Sequence, residues 1–423
     1  MGRAGASLPG PAHGRGVTPS ILAVTSELPW PLTAGGRLRT YHLLRQLAAE
    51  FRVRLVAGVP LDQREHVDAL AASGILVRPA FLRPRAPLAE SGRLLASALS
   101  REPYVLYRRH DRSEVRAVLR AEIGKEPPDA LYLDHLDSFV FAGEVSRTPT
   151  ALDLHNIYSL LIRREASASS RTWPARRFLS REAALLERIE GRAVRCADVI
   201  FSVSEQEQAH FARIRGSAVH LVPNGVDCAK YAQLPTGRSS APPAILFIGT
   251  MSWPANVQAA RFLASVVLPE VQQRIPDATL TIVGRDPGPD VLRLARAPDV
   301  TVAGNVPDIL PYLGNARLLA VPLESGGGTR LKILEAFAAG LPVVSTAIGS
   351  EGLGVADGRE LTIAEPPGFA QAVSALLLDP VAADAQAERA RMLARDRYDW
   401  GIIGQTVRAA IVAALKENGR RPA

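Results

Sequence analysis

Residues Pro322–Val344 read PLESGGGTRLKILEAFAAGLPVV, a strand end followed by three glycines and a helix predicted to begin near Thr329. Glycines before a helix let backbone N–H groups approach an anion, and the helix dipole favours negative charge at that end. Arg330 and Lys332 add two cations at the same point, which suits a diphosphate. Glu335, further along the helix, is an acceptor that suits a ribose diol. The stretch therefore predicts a site for a nucleotide diphosphate.

This site belongs to the second of two series of short apolar strands that alternate with helices. The first series opens at Ile21–Thr25 and the second at Ala244–Gly249, and each opening is followed by a loop and a helix-period pattern. Alternation of this kind predicts parallel sheets covered by helices on both faces, hence an α/β fold with two Rossmann-like domains. The further strand candidates are Val53–Gly58, Ile75–Arg78, Ala130–Asp134, Thr150–Leu154, Val199–Val203, Ala218–Val222, Thr279–Val283, Val300–Val302, Leu318–Val321, Val343–Ser345 and Glu360–Ile363.

The composition of the chain divides it into five parts. Residues 1–19 are rich in Gly, Pro and Arg without the apolar core of a signal peptide, and are expected to form a flexible leader. The first Rossmann-like domain is predicted over 20–235 and the second over 244–400, with a Pro- and Ser-rich linker at 236–243. A final helix over 401–423 is expected to pack back on the N-terminal domain.

Composition also excludes several classes of protein. With 47% apolar and 22% charged residues, the 423-residue chain is typical of a globular protein and not of a disordered one. Its longest apolar runs fall short of the roughly 20 residues of a membrane span. Cys196 and Cys228 cannot build a disulfide framework or a four-thiolate zinc site, and the seven histidines other than His155 are dispersed without metal-ligand spacing. We therefore expect no metal site and a cytoplasmic location.

The positive charge lies entirely in the first half of the chain. Residues 1–235 carry 32 Lys and Arg against 24 Asp and Glu, a net +8, while residues 236–423 carry 18 of each. Nucleic acid is not expected as a partner, because aromatic residues make up only 5% and the arginines are scattered. Arginines and apolar residues mingle in Phe81–Arg85 and Trp173–Leu179, so peripheral contact with an anionic membrane is an expectation.

Several further motifs accompany the 322–344 stretch in a fixed order. They are Gly35-Gly36 with Arg37 and Arg39, Asp153-Leu-His155-Asn156, Ser202-Val-Ser-Glu205, Val222-Pro-Asn-Gly-Val-Asp227, Phe247-Ile-Gly249 and Ile282-Val-Gly284. In this order and spacing the chain resembles the retaining GT-B glycosyltransferases of family 4 (glycosyl transferases group 1). The resemblance implies two Rossmann-like domains facing each other across a cleft, with the acceptor in the N-terminal domain and a nucleotide sugar in the C-terminal one.

The resemblance and the strand-end rule for α/β sheets together suggest residues for each role. The catalytic candidates are His155, Arg330 and Lys332. The donor-binding candidates are Gly35, Gly36, Gly249, Gly326, Gly327, Gly328, Thr329 and Glu335. The candidates on the acceptor side are Arg37, Arg39, Asp134, Asp153 and Asn156.

The chain departs from the family pattern at two places. The family's Glu-x7-Glu pair lacks its first member, because Gly327 stands eight residues before Glu335. The cations that many members carry after the first strand of the second domain are also missing, since Gly249–Gln258 reads GTMSWPANVQ. We interpret Arg330 and Lys332 as taking over the role of those cations.

The expected activity is transfer of a sugar, with retention, from a UDP- or GDP-sugar to a glycan or lipid-linked acceptor of cell-surface polysaccharide synthesis. No Asp-x-Asp motif occurs, so we expect metal independence and no cofactor besides the nucleotide sugar as co-substrate. The alternatives are a natural-product glycosyltransferase with a small-molecule acceptor, an epimerase or phosphorylase on the same scaffold, and a non-catalytic nucleotide-binding protein.

Overall fold

Two parallel β-sheets organise the chain. The computed structural model describes residues 18–419 except 146–147, 168–171, 236, 239–240 and 326–329, so most of the predicted leader and part of the predicted linker lie outside the described residues. The first sheet has seven strands in the order β3-β2-β1-β4-β5-β6-β7, and the second has six in the order β10-β9-β8-β11-β12-β13. The expected α/β fold with two Rossmann-like domains is confirmed.

The strands are short and apolar, as expected for sheets covered on both faces. Those of the first sheet are β1 Ser20–Thr25, β2 Arg52–Pro60, β3 Leu76–Leu82, β4 Ala130–Asp134, β5 Thr150–Leu154, β6 Val199–Ser202 and β7 His220–Leu221. Those of the second are β8 Ala244–Ile248, β9 Thr279–Gly284, β10 Val300–Gly304, β11 Leu318–Val321, β12 Val343–Ser345 and β13 Thr362–Ile363. In each sheet the strand order reverses beside the first strand, which is where α/β sheets bind ligands.

Helices cover both faces of each sheet. Those of the first half are α1 Gly35–Ala48, α2 Glu65–Ala71, α3 Pro87–Ser100, α4 Ser113–Lys125, α5 His135–Ser138, α6 Tyr158–Ser167, α7 Trp173–Cys196, α8 Glu205–Arg215 and α9 Cys228–Tyr231. Those of the second are α10 Pro254–Phe262, α11 Leu268–Gln272, α12 Pro289–Leu292, α13 Leu310–Asn315, α14 Leu331–Ala338, α15 Pro366–Leu378, α16 Pro380–Leu393 and α17 Trp400–Asn418. No helix in the described part of the chain has both the length and the apolar character that crossing a membrane requires.

The last helix, α17, lies on the N-terminal domain and contacts α1. Its buried residues Trp400, Ile403 and Val407 belong to the same apolar core as strands β1 and β2. The Trp400 ring stacks on His42 of α1, with ring centres 5.0 Å apart. Because α17 follows the second sheet, the chain crosses between the two domains twice.

The two crossings, at residues 224–228 and 398–400, run side by side and are hydrogen-bonded to each other. Val226 donates its N–H to the Tyr398 carbonyl at 2.8 Å and accepts from Trp400 N at 3.3 Å. The Asp399 carboxylate accepts from Cys228 N at 3.2 Å and from Gly401 N at 2.8 Å. Both passages between the domains therefore form one compact unit, which we call the crossover.

Gly225 is the residue of the crossover with the least space for a side chain. A Cβ there would lie 2.6 Å from the Tyr398 carbonyl oxygen and 2.7 Å from Ile403 Cδ1. We expect Gly225→Ala to lower the free energy of unfolding by about 1–3 kcal/mol, the usual cost of overpacking, as measured by urea denaturation. The matched control is Gly124→Ala in α4, where nothing lies within 4 Å of the new methyl group. The control should be neutral or stabilising by up to about 1 kcal/mol, and equal losses in both variants would contradict the account.

Candidate active site

Two Asp/His pairs lie at the carboxyl ends of the neighbouring strands β4 and β5. Asp134 ends β4 and is followed directly by His135, and Asp153 lies in β5 two residues before His155. The strands pair in register, Asp134 beside Asp153, which brings all four side chains to one edge of the sheet. The imidazole rings of His135 and His155 are 3.5 Å apart between centres.

His155 is held between two carboxylates. Its Nε2 lies 3.0 Å from Asp153 Oδ2 and 3.2 Å from Asp134 Oδ1, and the residue is only 7% exposed. Burial by itself would lower the pKa of His155, but the two neighbouring negative charges outweigh burial and raise the pKa to about 9. The side chain is therefore an imidazolium at neutral pH. In this state it can supply a hydrogen bond or a positive charge.

Asp153 and Arg39 form a buried ion pair behind His155. Arg39 donates from Nε and Nη2 to the two Asp153 oxygens at 2.9 and 2.6 Å, and Tyr132 Oη donates to Asp153 Oδ2 at 3.0 Å. Burial opposes ionisation, yet Arg39 and His155 together hold the pKa of Asp153 well below its usual range. Both partners of the pair have 0% exposure. These side chains therefore lie behind His155, and their predicted contact with an acceptor stays a prediction.

Asp134 is also buried, at 3% exposure, and accepts a hydrogen bond from Thr40 Oγ1 at 2.9 Å. It too contacts His155 and has little surface to offer an acceptor. Of the remaining acceptor-side candidates, Arg37 pairs with the exposed Glu27 at 3.0 Å, and Asn156 is half-buried just before α6.

The sequence analysis missed His135, which the structure places against His155. Its Nδ1 lies 2.5 Å from the Tyr158 hydroxyl, and its backbone is left-handed with φ +65°. Burial, and next the positive charge of His155, lower the pKa of His135. A neutral ring thus lies beside a charged one. The available signal was its position directly after the strand-ending Asp134, as His155 follows the strand that holds Asp153.

The predicted glycine loop lies between the histidine pair and the C-terminal domain. A Cβ at Gly36 would lie 3.5 Å from His135 Nε2 and 3.9 Å from His155 Nδ1. A Cβ at the preceding Gly35 would lie 3.3 Å from Leu331 Cδ1, in the first turn of α14. The start of α1 therefore contacts both halves of the candidate site.

On the C-terminal side, the predicted donor residues Gly326, Gly327, Gly328 and Thr329 lie outside the described residues. Helix α14 begins at Leu331, two residues later than predicted. Arg330 donates from Nη2 to the Ile348 carbonyl at 2.7 Å and lies 3.7 Å from Glu351. This cation precedes the helix and is 6% exposed.

Lys332 is half-buried in the first turn of α14. Its Nζ donates to Asn256 Oδ1 at 2.9 Å and lies 4.7 Å from the centre of the Phe247 ring. Burial, and next the charge of Arg330, lower the pKa of Lys332 to about 7. An anion bound beside this ammonium group would favour its charged form.

Gly249 makes room for the residue that orients Lys332. A Cβ at Gly249 would lie 2.8 Å from Asn256 Cγ, and Asn256 Nδ2 donates to the Thr250 carbonyl at 2.9 Å. Gly249 thus packs against the Asn256 side chain. Asn256, in the first turn of α10, thus contacts Lys332, in the first turn of α14.

Glu335 lies one turn after Lys332 on the same helix. Its Oε1 accepts a hydrogen bond from the Tyr231 hydroxyl at 3.1 Å, and burial raises the pKa of Glu335 to about 7. Tyr231 ends α9, next to the crossover. Glu335, the residue suggested to bind a ribose, is half-buried and accepts one side-chain hydrogen bond from the residues that the structure describes.

Among the residues that the structure describes, one group of three side chains offers metal-ligand atoms close together. These atoms, from Asp134, His135 and His155, all lie within 4.8 Å of one another. His155 Nε2 already lies 3.2 Å from Asp134 Oδ1 and 3.0 Å from Asp153 Oδ2, so a metal ion there would compete with these contacts.

The raised pKa of His155 predicts a pH-dependent stability. The folded state holds this proton more tightly than the unfolded chain, so the stabilisation is complete below pH 6.5 and is lost as the pH rises towards 9. The free energy of unfolding of the parent protein should fall over this window, by on the order of 1–3 kcal/mol more than that of His155→Gln. Urea denaturation between pH 4 and pH 9.5 measures both curves.

His42→Gln is the matched control, because burial lowers the pKa of His42 to about 4. The stabilisation from neutral His42 is present above pH 6.5 and is lost as the pH falls towards 4. This variant should therefore differ in shape from the parent only on the acid side. Parallel curves for the parent and His155→Gln between pH 6.5 and 9 would show that the histidine is not held as an imidazolium.

Comparison with known proteins places the chain in a family. The family described as Glycosyltransferase Family 4 matches residues 33–230, and the one described as Glycosyl transferases group 1 matches residues 242–379. The glycogen synthase of Mycobacterium tuberculosis is 28% identical over 249 residues, 55% of this chain and 58% of that protein. The GDP-mannose-dependent alpha-(1-6)-phosphatidylinositol monomannoside mannosyltransferase of Mycolicibacterium smegmatis is 29% identical over 252 residues, 54% of this chain and 64% of that protein.

These alignments span about three fifths of the length of each curated relative. Among solved structures, Anabaena HepE in complex with UDP and glucose is similar with a TM-score of 0.64 and 17% identity, covering 93% of this chain and 99% of that one. At this identity the likeness concerns the fold. The family matches to both halves, together with the two facing Rossmann-like sheets, show that the chain belongs to glycosyltransferase family 4 and has the GT-B fold.

Proposed function

We propose that this protein is a metal-independent retaining glycosyltransferase that uses a nucleotide sugar. The observation that carries the proposal is the position of Gly35 and Gly36. Gly35 lies against Leu331 in the first turn of α14, and the adjacent Gly36 lies against His135 and His155. The anion site of one domain and the imidazolium of the other thus border the same loop, as a reaction between the domains requires.

The chemistry follows from the charges on the two sides. Breaking the bond between the sugar and the nucleotide leaves a diphosphate, and Arg330, Lys332 and the N-terminus of α14 would stabilise the developing negative charge. The acceptor oxygen forms its bond on the same face of the sugar, and its proton passes to the leaving phosphate oxygen. His155, charged and held by two carboxylates, would donate a hydrogen bond to the sugar or to the reacting oxygens. No covalent carboxylate nucleophile is required.

The donor proposed is a UDP- or GDP-sugar, and Glu335 is proposed to accept hydrogen bonds from its ribose. Support comes from relatives whose names include a GDP-mannose-dependent enzyme and from a similar structure bound to UDP and glucose. The acceptor proposed is a glycan or lipid-linked precursor of cell-surface polysaccharide, with a natural product as the alternative. Binding of nucleotide without turnover over a panel of donors would instead indicate a non-catalytic nucleotide-binding protein.

Lys332→Ala tests the phosphate anchor. We expect loss of about 2–4 kcal/mol of transition-state stabilisation, or roughly thirtyfold to a thousandfold in kcat/KM, because Lys332 acts on charge that develops as the diphosphate leaves. The donor is chosen first by screening UDP, GDP, dTDP and ADP for thermal stabilisation of the protein. Release of free nucleotide in the presence of acceptor then measures turnover.

Lys416→Ala, an exposed lysine on α17, is the matched control and should keep parental activity. EDTA should leave the parent protein fully active, because cations of the protein replace a metal in this proposal. Full activity of Lys332→Ala would remove the anchor from the mechanism. Complete loss with EDTA would instead point to a metal ion, for which the Asp134, His135 and His155 group is the described candidate.

We also propose peripheral contact with an anionic membrane at the cytoplasmic face, at the start of α7. Trp173 is 72% exposed there, and the Arg177 guanidinium lies 5.9 Å from the centre of its ring. The other segment considered, 81–85, is a weaker candidate, because Arg85 donates to the Arg109 and Asp111 carbonyls at 2.9 and 2.7 Å. Basic residues near an anionic leaflet contribute on the order of 1 kcal/mol each.

Sedimentation with vesicles tests the membrane contact. The protein should sediment with anionic but not with neutral vesicles at low salt, and high salt should release it, because the attraction is electrostatic. The double variant Arg176→Glu, Arg177→Glu should lose this binding. The matched control is Arg389→Glu, Arg391→Glu on α16 of the C-terminal domain, which should bind like the parent. Absence of binding at low salt would favour an acceptor that is not membrane-bound.

A further inference from the structure

Arg39 contacts two functional regions with one guanidinium group. Nε and Nη2 donate to Asp153 at 2.9 and 2.6 Å, and Asp153 belongs to the histidine cluster. Nη1 donates to the Val222 carbonyl at 2.6 Å and to Asn224 Oδ1 at 3.2 Å, where the chain enters the crossover. Because the guanidinium is planar and rigid, these contacts cannot rotate independently.

On the cleft side, the contact reaches the charged histidine through a single carboxylate. Asp153 Oδ2 accepts from Arg39 and Tyr132 and lies 3.0 Å from His155 Nε2. A displacement of Arg39 would therefore move the oxygen that orients the His155 ring.

On the crossover side, Asn224 comes two residues before Val226. Val226 is bonded to Tyr398 and Trp400 of the second crossing, so the two crossings are held together next to Arg39. The same helix α1 that carries Arg39 also stacks His42 on Trp400, with ring centres 5.0 Å apart. If the two domains moved relative to each other, the crossover residues that contact Arg39 and helix α1 would have to move as well.

We propose that Arg39 is a positioning residue that couples the orientation of His155 to the crossover, so that the arrangement of the domains and the geometry of the cleft histidine change together. The coupling itself depends on contacts within the chain, and its catalytic consequence rests on the proposed function. Lysine could not replace Arg39, because a single ammonium group cannot present parallel N–H groups to Asp153 and also reach Val222 and Asn224.

Hydrogen exchange followed by mass spectrometry tests the coupling without any substrate. Asn224→Ala removes a contact of Arg39 on the crossover and leaves both bonds to Asp153 in place. We expect exchange to accelerate about tenfold in peptides covering 220–231 and also in those covering 150–158, the equivalent of about one lost hydrogen bond to a charged group. The matched control is Asp227→Ala, which removes the bond to Lys230 N on the same segment. It should accelerate exchange in 220–231 alone.

Asp153→Asn provides the reciprocal measurement, since coupling acts equally in both directions. It should accelerate exchange in 220–231, although Asp153 makes no direct bond to the crossover among the contacts described. If that variant does not fold, Asn224→Ala still decides the question. The proposal would be overturned if peptides covering 150–158 exchanged at the parental rate in Asn224→Ala. It would also be overturned if exchange accelerated in both 150–158 and 220–231 in Asp227→Ala.

With a donor and acceptor in hand, Asn224→Ala should lower kcat about tenfold while the dissociation constant of the nucleotide stays within about twofold of the parent. If Asn224 had only a structural role, Asn224→Ala would lower activity and thermal stability together. A fall in kcat with unchanged nucleotide affinity would then not be seen. If the parent transfers no sugar, the proposed function fails, whereas the exchange measurements still report whether the cleft and the crossover are coupled.

Discussion

The buried ion pair between Arg39 and Asp153 is the contact on which the arrangement of the cleft depends. Both side chains are fully buried, and such a pair is tolerated only when its geometry is good and its remaining donors are satisfied. Here Arg39 Nη1 also donates to the Val222 carbonyl and to Asn224 Oδ1, and Asp153 Oδ2 also contacts Tyr132 and His155. This ion pair thus holds helix α1, the end of strand β5 and the segment that enters the crossover in fixed positions relative to one another.

The pKa values of His155 and Lys332 are shifted in opposite directions, and this difference suggests different roles for the two side chains. His155 lies between two carboxylates, which raise its pKa to about 9 in spite of burial. Lys332 contacts an amide and an aromatic ring, and burial, followed by the charge of Arg330, lowers its pKa to about 7. The negative partners of His155 are therefore side chains of the protein itself, Asp134 and Asp153. A diphosphate bound beside Lys332, as proposed, would favour its charged form.

Much of the fold could be predicted from the sequence because short apolar strands between helices have few other arrangements. Strands β4, β5, β11 and β12 occupy the predicted residues, whereas β7 and β13 at the sheet edges are only two residues long. An edge strand has one neighbour, so its extent depends on that neighbour and not on its own apolar pattern. The predicted strand 150–154 also put His155 directly after a strand end, and β5 does end at Leu154.

By itself the sequence determined the two-sheet architecture, the position of the glycine loop and the cations at the start of α14, since these are local patterns. Tertiary structure alone decided that Arg39 is buried while Arg37, two residues away, pairs with surface Glu27. Residues two apart point about 200° apart on a helix, and only packing decides which side faces the core. It also decided that His135 meets His155 and that Asn256 meets Lys332. Partners and charge states of this kind depend on contacts between distant segments, which no local pattern contains.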